Sequence, residues 1–204
     1  MNLIVKPAGV YQANCYIVYD EKTMEGFIID PGGDAPDISN ILKEKGILAK
    51  FIILTHGHFD HIGAVNELKK KLNIPVYMNK NDLFLVSEDD AHTKSAYYSH
   101  DNIKVDRFVN DGDVIKYGNE TISIVETPGH SRGSITIYTD GCLFTGDTLF
   151  AGSAGRTDFP GGSQDMLLKS LSEKIALYPD ETRVYPGHGP STTIGIEKSQ
   201  NPFL

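Results

Sequence analysis

The sequence predicts an α/β sandwich with helices on its outer faces. Two observations carry that prediction: two separate groups of short apolar runs broken by turn residues, and segments of helical spacing that accompany each group. The opening portion through residue 30 reads as a first β-meander, containing Cys15-Tyr16-Ile17-Val18-Tyr19 and Phe27-Ile28-Ile29 closed by Asp20 and Asp30. Residues 37–45 place Ile38, Ile41 and Leu42 on one helical face, and Gly46 ends that helix. A strand at 51–54 leads into a polar loop. Helical spacing resumes over 62–72 through Ile62, Val65, Leu68 and Leu72. A short strand at 75–79 and a helix at 81–88 carrying Leu83, Phe84 and Val86 come next.

Residues 89–101 are polar and without a period; they read as a loop or irregular helix, and as a candidate lid. Turns at Asp111-Gly112, Gly118-Asn119 and Asp140-Gly141 delimit strands at 121–127, 134–139 and 142–146, the second meander. A last long helix is expected at 164–177, followed by a strand at 182–185 and a polar end.

Composition narrows the function classes. With 204 residues the chain is expected to be one domain, and 40% hydrophobic against 23% charged residues is the balance of a globular protein. Lys plus Arg number 19 against 27 Asp plus Glu, a net charge of -8 that repels phosphate backbones and argues against a nucleic-acid partner. No apolar stretch approaches the roughly 20 residues of a membrane span, and the first residues carry no basic leader, so a cytoplasmic protein without a membrane partner is expected. Cys15 and Cys142 lie in apolar strand contexts and read as core residues.

Chemistry concentrates in histidine. The segment Thr55-His56-Gly57-His58-Phe59-Asp60-His61 packs three imidazoles and a carboxylate between a strand and a helix. Neither turn chemistry nor helix capping requires that pattern, whereas a divalent cation needs such convergent N and O donors to replace its water shell. Without a cation, clustered imidazoles leave polar groups unpaired or like charges facing each other. Three further donors follow predicted strands: His130 in Thr-Pro-Gly-His, Asp147 in Thr-Gly-Asp-Thr and His188 in Pro-Gly-His-Gly. Taken singly, His130 and His188 are as readily turn residues as ligands, and Asp147 reads as a turn residue or helix cap before a ligand. Taken together they supply a carboxylate and two imidazoles, enough to complete two metal positions.

The pattern His56, His58, Asp60, His61, then His130, Asp147 and His188, resembles the metallo-β-lactamase superfamily, with its HxHxDH signature followed by a distant His, Asp and His. The resemblance spans nearly the whole chain and implies an αββα sandwich with the site at one edge of the two sheets. It further implies that His56, His58 and His130 hold one cation, that Asp60, His61 and His188 hold the other, and that Asp147 bridges them. Zinc is the first candidate for both cations, with iron or manganese as alternatives.

Gly146-Asp147-Thr148-Leu149-Phe150 and Gly155-Arg156-Thr157-Asp158-Phe159 resemble the hydroxyacylglutathione hydrolases and their short bacterial relatives. The C-terminal domain that grips glutathione in the longer enzymes is not expected here. Arg156 is the nearby cation that can meet a substrate carboxylate, or else pair with Asp158. The expected reaction is hydrolysis of a small-molecule thioester by a metal-bridging hydroxide, with Asp60 orienting the attacking water. Two rivals within the fold are a persulfide dioxygenase holding one iron on His56, His130 and Asp147, and a β-lactamase, disfavoured by the missing leader.

Overall fold

A computed structural model describes residues 1–87 and 102–204. Six strands form a first sheet in chain order: β1 (Asn2–Ala8), β2 (Ala13–Tyr19), β3 (Glu25–Ile29), β4 (Leu48–Ile53), β5 (Val76–Met78) and β6 (Arg107–Phe108). The first three pair antiparallel and the rest parallel. A second sheet contains β7 (Val114–Tyr117), β8 (Glu120–Glu126), β9 (Ile135–Thr139) and β10 (Cys142–Gly146), all antiparallel. After a two-stranded hairpin of β11 (Leu149–Phe150) and β12 (Ser153–Ala154), the chain rejoins that sheet through β13 (Arg183–Pro186), parallel to β10, and β14 (Thr192–Thr193) at its edge. The helices are α1 (Ala35–Lys45), α2 (Phe59–Ile62), α3 (Val65–Leu72), α4 (Gln164–Glu173) and α5 (Ile194–Gln200).

The period-2 alternation of strand side chains builds four layers. Ile17, Ile28 and Ile52 point outward to meet Ile38 and Leu42 of α1 and Val65 and Leu68 of α3. Their neighbours Val18, Phe27, Ile29, Phe51 and Ile53 point the other way, against Tyr117, Ile122, Ile137 and Phe144 of the second sheet. Phe27 anchors this inter-sheet layer, stacked on Phe51 at 5.0 Å and edge-on to Tyr117 at 4.9 Å. On the far face Leu143 and Val184 pack against Leu167 and Leu171 of α4 and Ile194 of α5. Helix, sheet, sheet, helix is the expected αββα order. Cys15 and Cys142 are buried and unbridged.

The structure corrects several element boundaries. The helix expected over 62–72 is two helices: α2 starts at Phe59, and the chain turns at Gly63-Ala64, where Ala64 N–H leaves the helix to bond Pro31 O at 2.9 Å. The helix expected over 164–177 stops at Glu173, and a 3₁₀ turn, Ile175–Leu177, continues it. There Lys174 bends away so that its ammonium reaches Glu126 O and Asp111 Oδ1. The helix expected over 81–88 is a 3₁₀ helix, Lys80–Leu85, opened by the Asn79 side chain accepting from Asn81 N–H. The strand read as 182–185 begins and ends one residue later, as β13. The polar end contains α5, capped by the Thr193 hydroxyl. The lid expected over 89–101 falls outside the described residues. Among the described residues no helix is long and apolar enough to cross a membrane.

Candidate metal centre

The sheets deliver their polar residues to one edge. β3, β4, β10 and β13 each end in a loop there, carrying Asp30, then His56 to His61, then Asp147, then His188; His130 comes from the loop between the antiparallel strands β8 and β9. The loops lock to one another through the backbone. Asn14 N–H bonds Gly187 O at 2.7 Å, the Asn14 amide bonds Pro186 O and Gly189 O, and Gly187 N–H bonds Gly146 O. Gly187 has to be glycine, because a Cβ there would collide with Asp147 Oδ1 and stand 2.8 Å from His61 Cε1.

All seven donors expected from the sequence lie in this cluster. His56, His58 and His130 offer nitrogens within 4.8 Å of one another, as do the ligand atoms of Asp60, His61 and His188. Asp147 lies between the two sets: its Oδ1 is 3.4 Å from His61 Nε2, and its Oδ2 is 3.6 Å from His130 Nε2 and 3.8 Å from His188 Nε2. The outward nitrogens are held by fixed partners. His130 Nδ1 donates to Arg156 O at 2.7 Å, His61 Nδ1 to Asp30 Oδ2 at 3.0 Å, and His56 Nδ1 lies 3.0 Å from Thr55 Oγ1. Each of these contacts leaves the ring's Nε2 facing inward.

Whether a cation suits the cluster is tested by its unpaired atoms. Among the described residues, the buried side-chain N and O atoms without a hydrogen-bond partner are His56 Nε2, His58 Nε2, Asp147 Oδ1 and Ser39 Oγ, so all but one belong here. Burying such atoms unpaired is costly, and nitrogen with carboxylate oxygen is the donor chemistry of borderline divalent cations. The residues fit the group.

The electrostatics agree. Burial, reinforced by neighbouring imidazoles, drives the His56 pKa well below its ordinary value and that of His58 down to about 3, so both keep a free lone pair at neutral pH. For His61 burial acts in the same direction, but Asp147 and Asp60 outweigh it and hold the ring protonated well above its ordinary value. Asp60 and Asp147 are in turn held below the usual carboxylate range; burial opposes this and His61 overcomes it. Three carboxylates around one imidazole demand a positive charge at this point, and a proton or a cation satisfies it. The two compete, so cation uptake at Asp60, His61 and His188 is expected to strengthen from pH 6 to 8 as the His61 proton is easier to release. His56 and His58 have already lost their protons in that range and add nothing to this dependence. Competitive zinc titrations at pH 6, 7 and 8 check the trend at Asp60, His61 and His188; a flat profile there would contradict the charge arrangement around His61.

Sequence reading missed two carboxylates. Asp30, 1% exposed, accepts from Thr55 N–H at 2.7 Å, Thr55 Oγ1–H at 2.5 Å and His61 Nδ1, and with His56 and His61 makes a third group of ligand-type atoms within 4.8 Å. Its signal was present: like Asp147, it follows directly on an apolar strand. Asp82, fully buried, had no such signal in the polar run Asn79-Lys80-Asn81-Asp82. Arg156 contributes its carbonyl to His130, while its exposed guanidinium forks onto Asp158 with two contacts of 2.6 Å and lies 4.1 Å from the Phe159 ring centroid. Phe159 stands against His58, and Phe150 against His188, giving the cluster an aromatic flank.

Comparison with known proteins agrees with this geometry. The family model "Metallo-beta-lactamase superfamily" matches residues 8–188. The hydroxyacylglutathione hydrolase GloC of Haemophilus influenzae is 36% identical over 209 residues, covering 100% of this chain and 98% of that protein. Among solved structures, the BLEG-1 B3 metallo-beta-lactamase superposes with a TM-score of 0.93 at 38% identity, covering 100% of this chain and 99% of that one. TTHA1623 in a di-iron-bound form gives 0.87 at 36% identity over the whole of both chains. On the family match, the αββα layers and the His and Asp cluster at the sheet edge, this chain belongs to the metallo-beta-lactamase superfamily.

Proposed function

We propose that residues 1–204 act as one cytoplasmic metallo-β-lactamase-like domain that hydrolyses a small-molecule thioester of the hydroxyacylglutathione type, using two divalent cations with zinc as first candidate. One observation carries the reading: the carboxylate of Asp147, half-buried, stands between two three-donor sets and has a buried oxygen with no hydrogen-bond partner. The substrate class is supported by the similarity to GloC over the full chain.

In this reading His56, His58 and His130 hold one cation, Asp60, His61 and His188 the other, and Asp147 faces both. When bound, the pair supplies water acidified toward neutral pH and an electrophile for the carbonyl oxygen. The protein's own residues do the rest. Asp60, whose Oδ2 is 3.2 Å from His188 Nε2, stays ionised and orients the attacking water as the catalytic carboxylate. Asp30 fixes the His61 ring, and the Arg156 carbonyl fixes His130, so the donors are aligned before substrate arrives. Phe159 and Phe150 shield one flank from water. A thiolate leaves without needing a general acid. Arg156 is proposed to turn from Asp158 to a carboxylate of the substrate; its guanidinium is exposed and, among the described residues, its hydrogen bonds go to Asp158 alone, with the Phe159 ring beneath it.

The test is elemental analysis of protein purified without added metal, followed by thioester assays. About two equivalents of metal per chain and thioester turnover are expected, with Arg156→Ala raising KM for a carboxylate-bearing thioester while kcat holds. About one equivalent of iron, with oxygen consumed on a thiol persulfide, would replace this reading by the dioxygenase one.

A further inference from the structure

Asp82 is fully buried, lies outside every donor set, and has no cation as a partner among the described residues. Its carboxylate is instead surrounded by donors from two different loops. Oδ2 accepts from Gly57 N–H at 3.1 Å and from the Ser131 hydroxyl at 2.6 Å, and Oδ1 accepts from Gly133 N–H at 2.5 Å. Gly57 is the residue between His56 and His58; Ser131 follows His130 directly. The hydroxyl of Ser131 is itself held, 2.7 Å from Ser134 Oγ, which also accepts from Ser131 N–H.

The glycines make this approach feasible. A Cβ on Gly133 would lie 2.6 Å from Asp82 N, and one on Gly57 would lie 2.8 Å from Leu85 Cβ, so the 3₁₀ helix carrying Asp82 is seated directly on both loops. On the opposite side of those loops His58 Nδ1 and His130 Nε2 are 2.8 Å apart. One carboxylate therefore ties the backbone of the His56–His58 segment to the backbone of the His130 segment, and the spacing of three donor nitrogens depends on that tie.

We propose that Asp82 is a positioning residue for the three-histidine half of the centre, setting how closely the His130 loop approaches the His56–His58 loop. The inference rests on the dinuclear reading above. A buried carboxylate with three hydrogen bonds is rigid, because any movement would leave it without its donors in a low-dielectric interior. The other half of the centre is held by different contacts, chiefly Asp30 on His61 and Asn14 on the His188 loop. Loss of Asp82 should thus act on one half and spare the other.

Asp82→Asn keeps the shape but removes an acceptor from one of the three donors. Competitive zinc titration, with histidine side-chain nitrogen signals reporting which donors fill, should show His58 and His130 filling with about 10- to 100-fold weaker affinity, and His188 filling as in the wild type. Ser131→Ala, which removes one hydrogen bond from the same clasp, should give a smaller shift in the same direction and carries the test should Asp82→Asn not fold.

Asp20→Asn separates positioning from simple loss of stability. Asp20 also gathers several donors, from Asn119, Lys22 and Thr23, but at the end of β2 remote from Asn14. It should lower the melting temperature and leave both halves filling normally. Equal weakening of both halves in Asp82→Asn, or wild-type filling of His58 and His130, would overturn the positioning role while leaving the dinuclear reading intact. A wild-type chain that takes up no metal would overturn both.

Discussion

Asp147→Asn is expected to cost the protein both cations and at least about 10³-fold in kcat/KM, close to 4 kcal/mol of transition-state stabilisation. The substitution preserves volume, so the packing around it survives. What it removes is the charge that faces His61 through one oxygen and His130 and His188 through the other. Metal per chain, measured on protein purified alongside the wild type, should fall well below one equivalent. Retention of one full equivalent would show that Asp147 serves a single cation. A second readout needs no metal: Asp147 is the leading cause of the raised His61 pKa, so the metal-free variant should titrate His61 at lower pH, visible by histidine NMR.

His56→Ala should be comparably damaging to turnover, about 10³-fold or more, through a different route. His56 is 1% exposed and belongs to two of the three groups of ligand-type atoms, one with His58 and His130 and the other with Asp30 and His61. Its ring lies 4.8 Å from that of His58, 4.2 Å from His61 and 4.8 Å from His130, so its removal takes away a donor and also the packing that keeps three imidazoles apart. About one equivalent of metal should remain, on Asp60, His61 and His188, and the far-UV circular dichroism should not change. A near-native rate for this variant would remove the three-histidine set from the chemistry altogether. Together the two substitutions separate a bridging carboxylate from a single-set ligand by the metal each leaves behind.

The seven donors were legible because their signals are local and redundant. HxHxDH is improbable as a turn, and His130, Asp147 and His188 each follow an apolar strand. The layers were legible for a similar reason: Phe27-Ile28-Ile29 and Phe51-Ile52-Ile53 are apolar without interruption, which only strands covered on both faces require. Arg156 shows the limit of such reading. Its two candidate roles, substrate contact and pairing with Asp158, look identical in Gly-Arg-Thr-Asp-Phe, and the pairing is a matter of side-chain geometry. Element ends were misread for a related reason. Periodicity continues through Gly63-Ala64 and Lys174, but the contacts made at those breaks, Ala64 N–H to Pro31 O and the Lys174 ammonium to Glu126 O and Asp111 Oδ1, reach residues far away in sequence.

The sequence by itself determined the layer pattern, the two meanders and the residues that are candidates to bind a cation, since each is written in residue types at short spacing. The family resemblance implied which donors share a set and that Asp147 lies between the sets; only the tertiary structure decided how closely they approach, and that Asp30 and Asp82 bond to the loops that carry them. Those facts depend on where β3, β4, β10 and β13 end relative to one another across two packed sheets. A buried carboxylate's role is fixed by which backbone N–H groups the fold brings to it, and Gly57 and Gly133 reach Asp82 from 25 and 51 residues away.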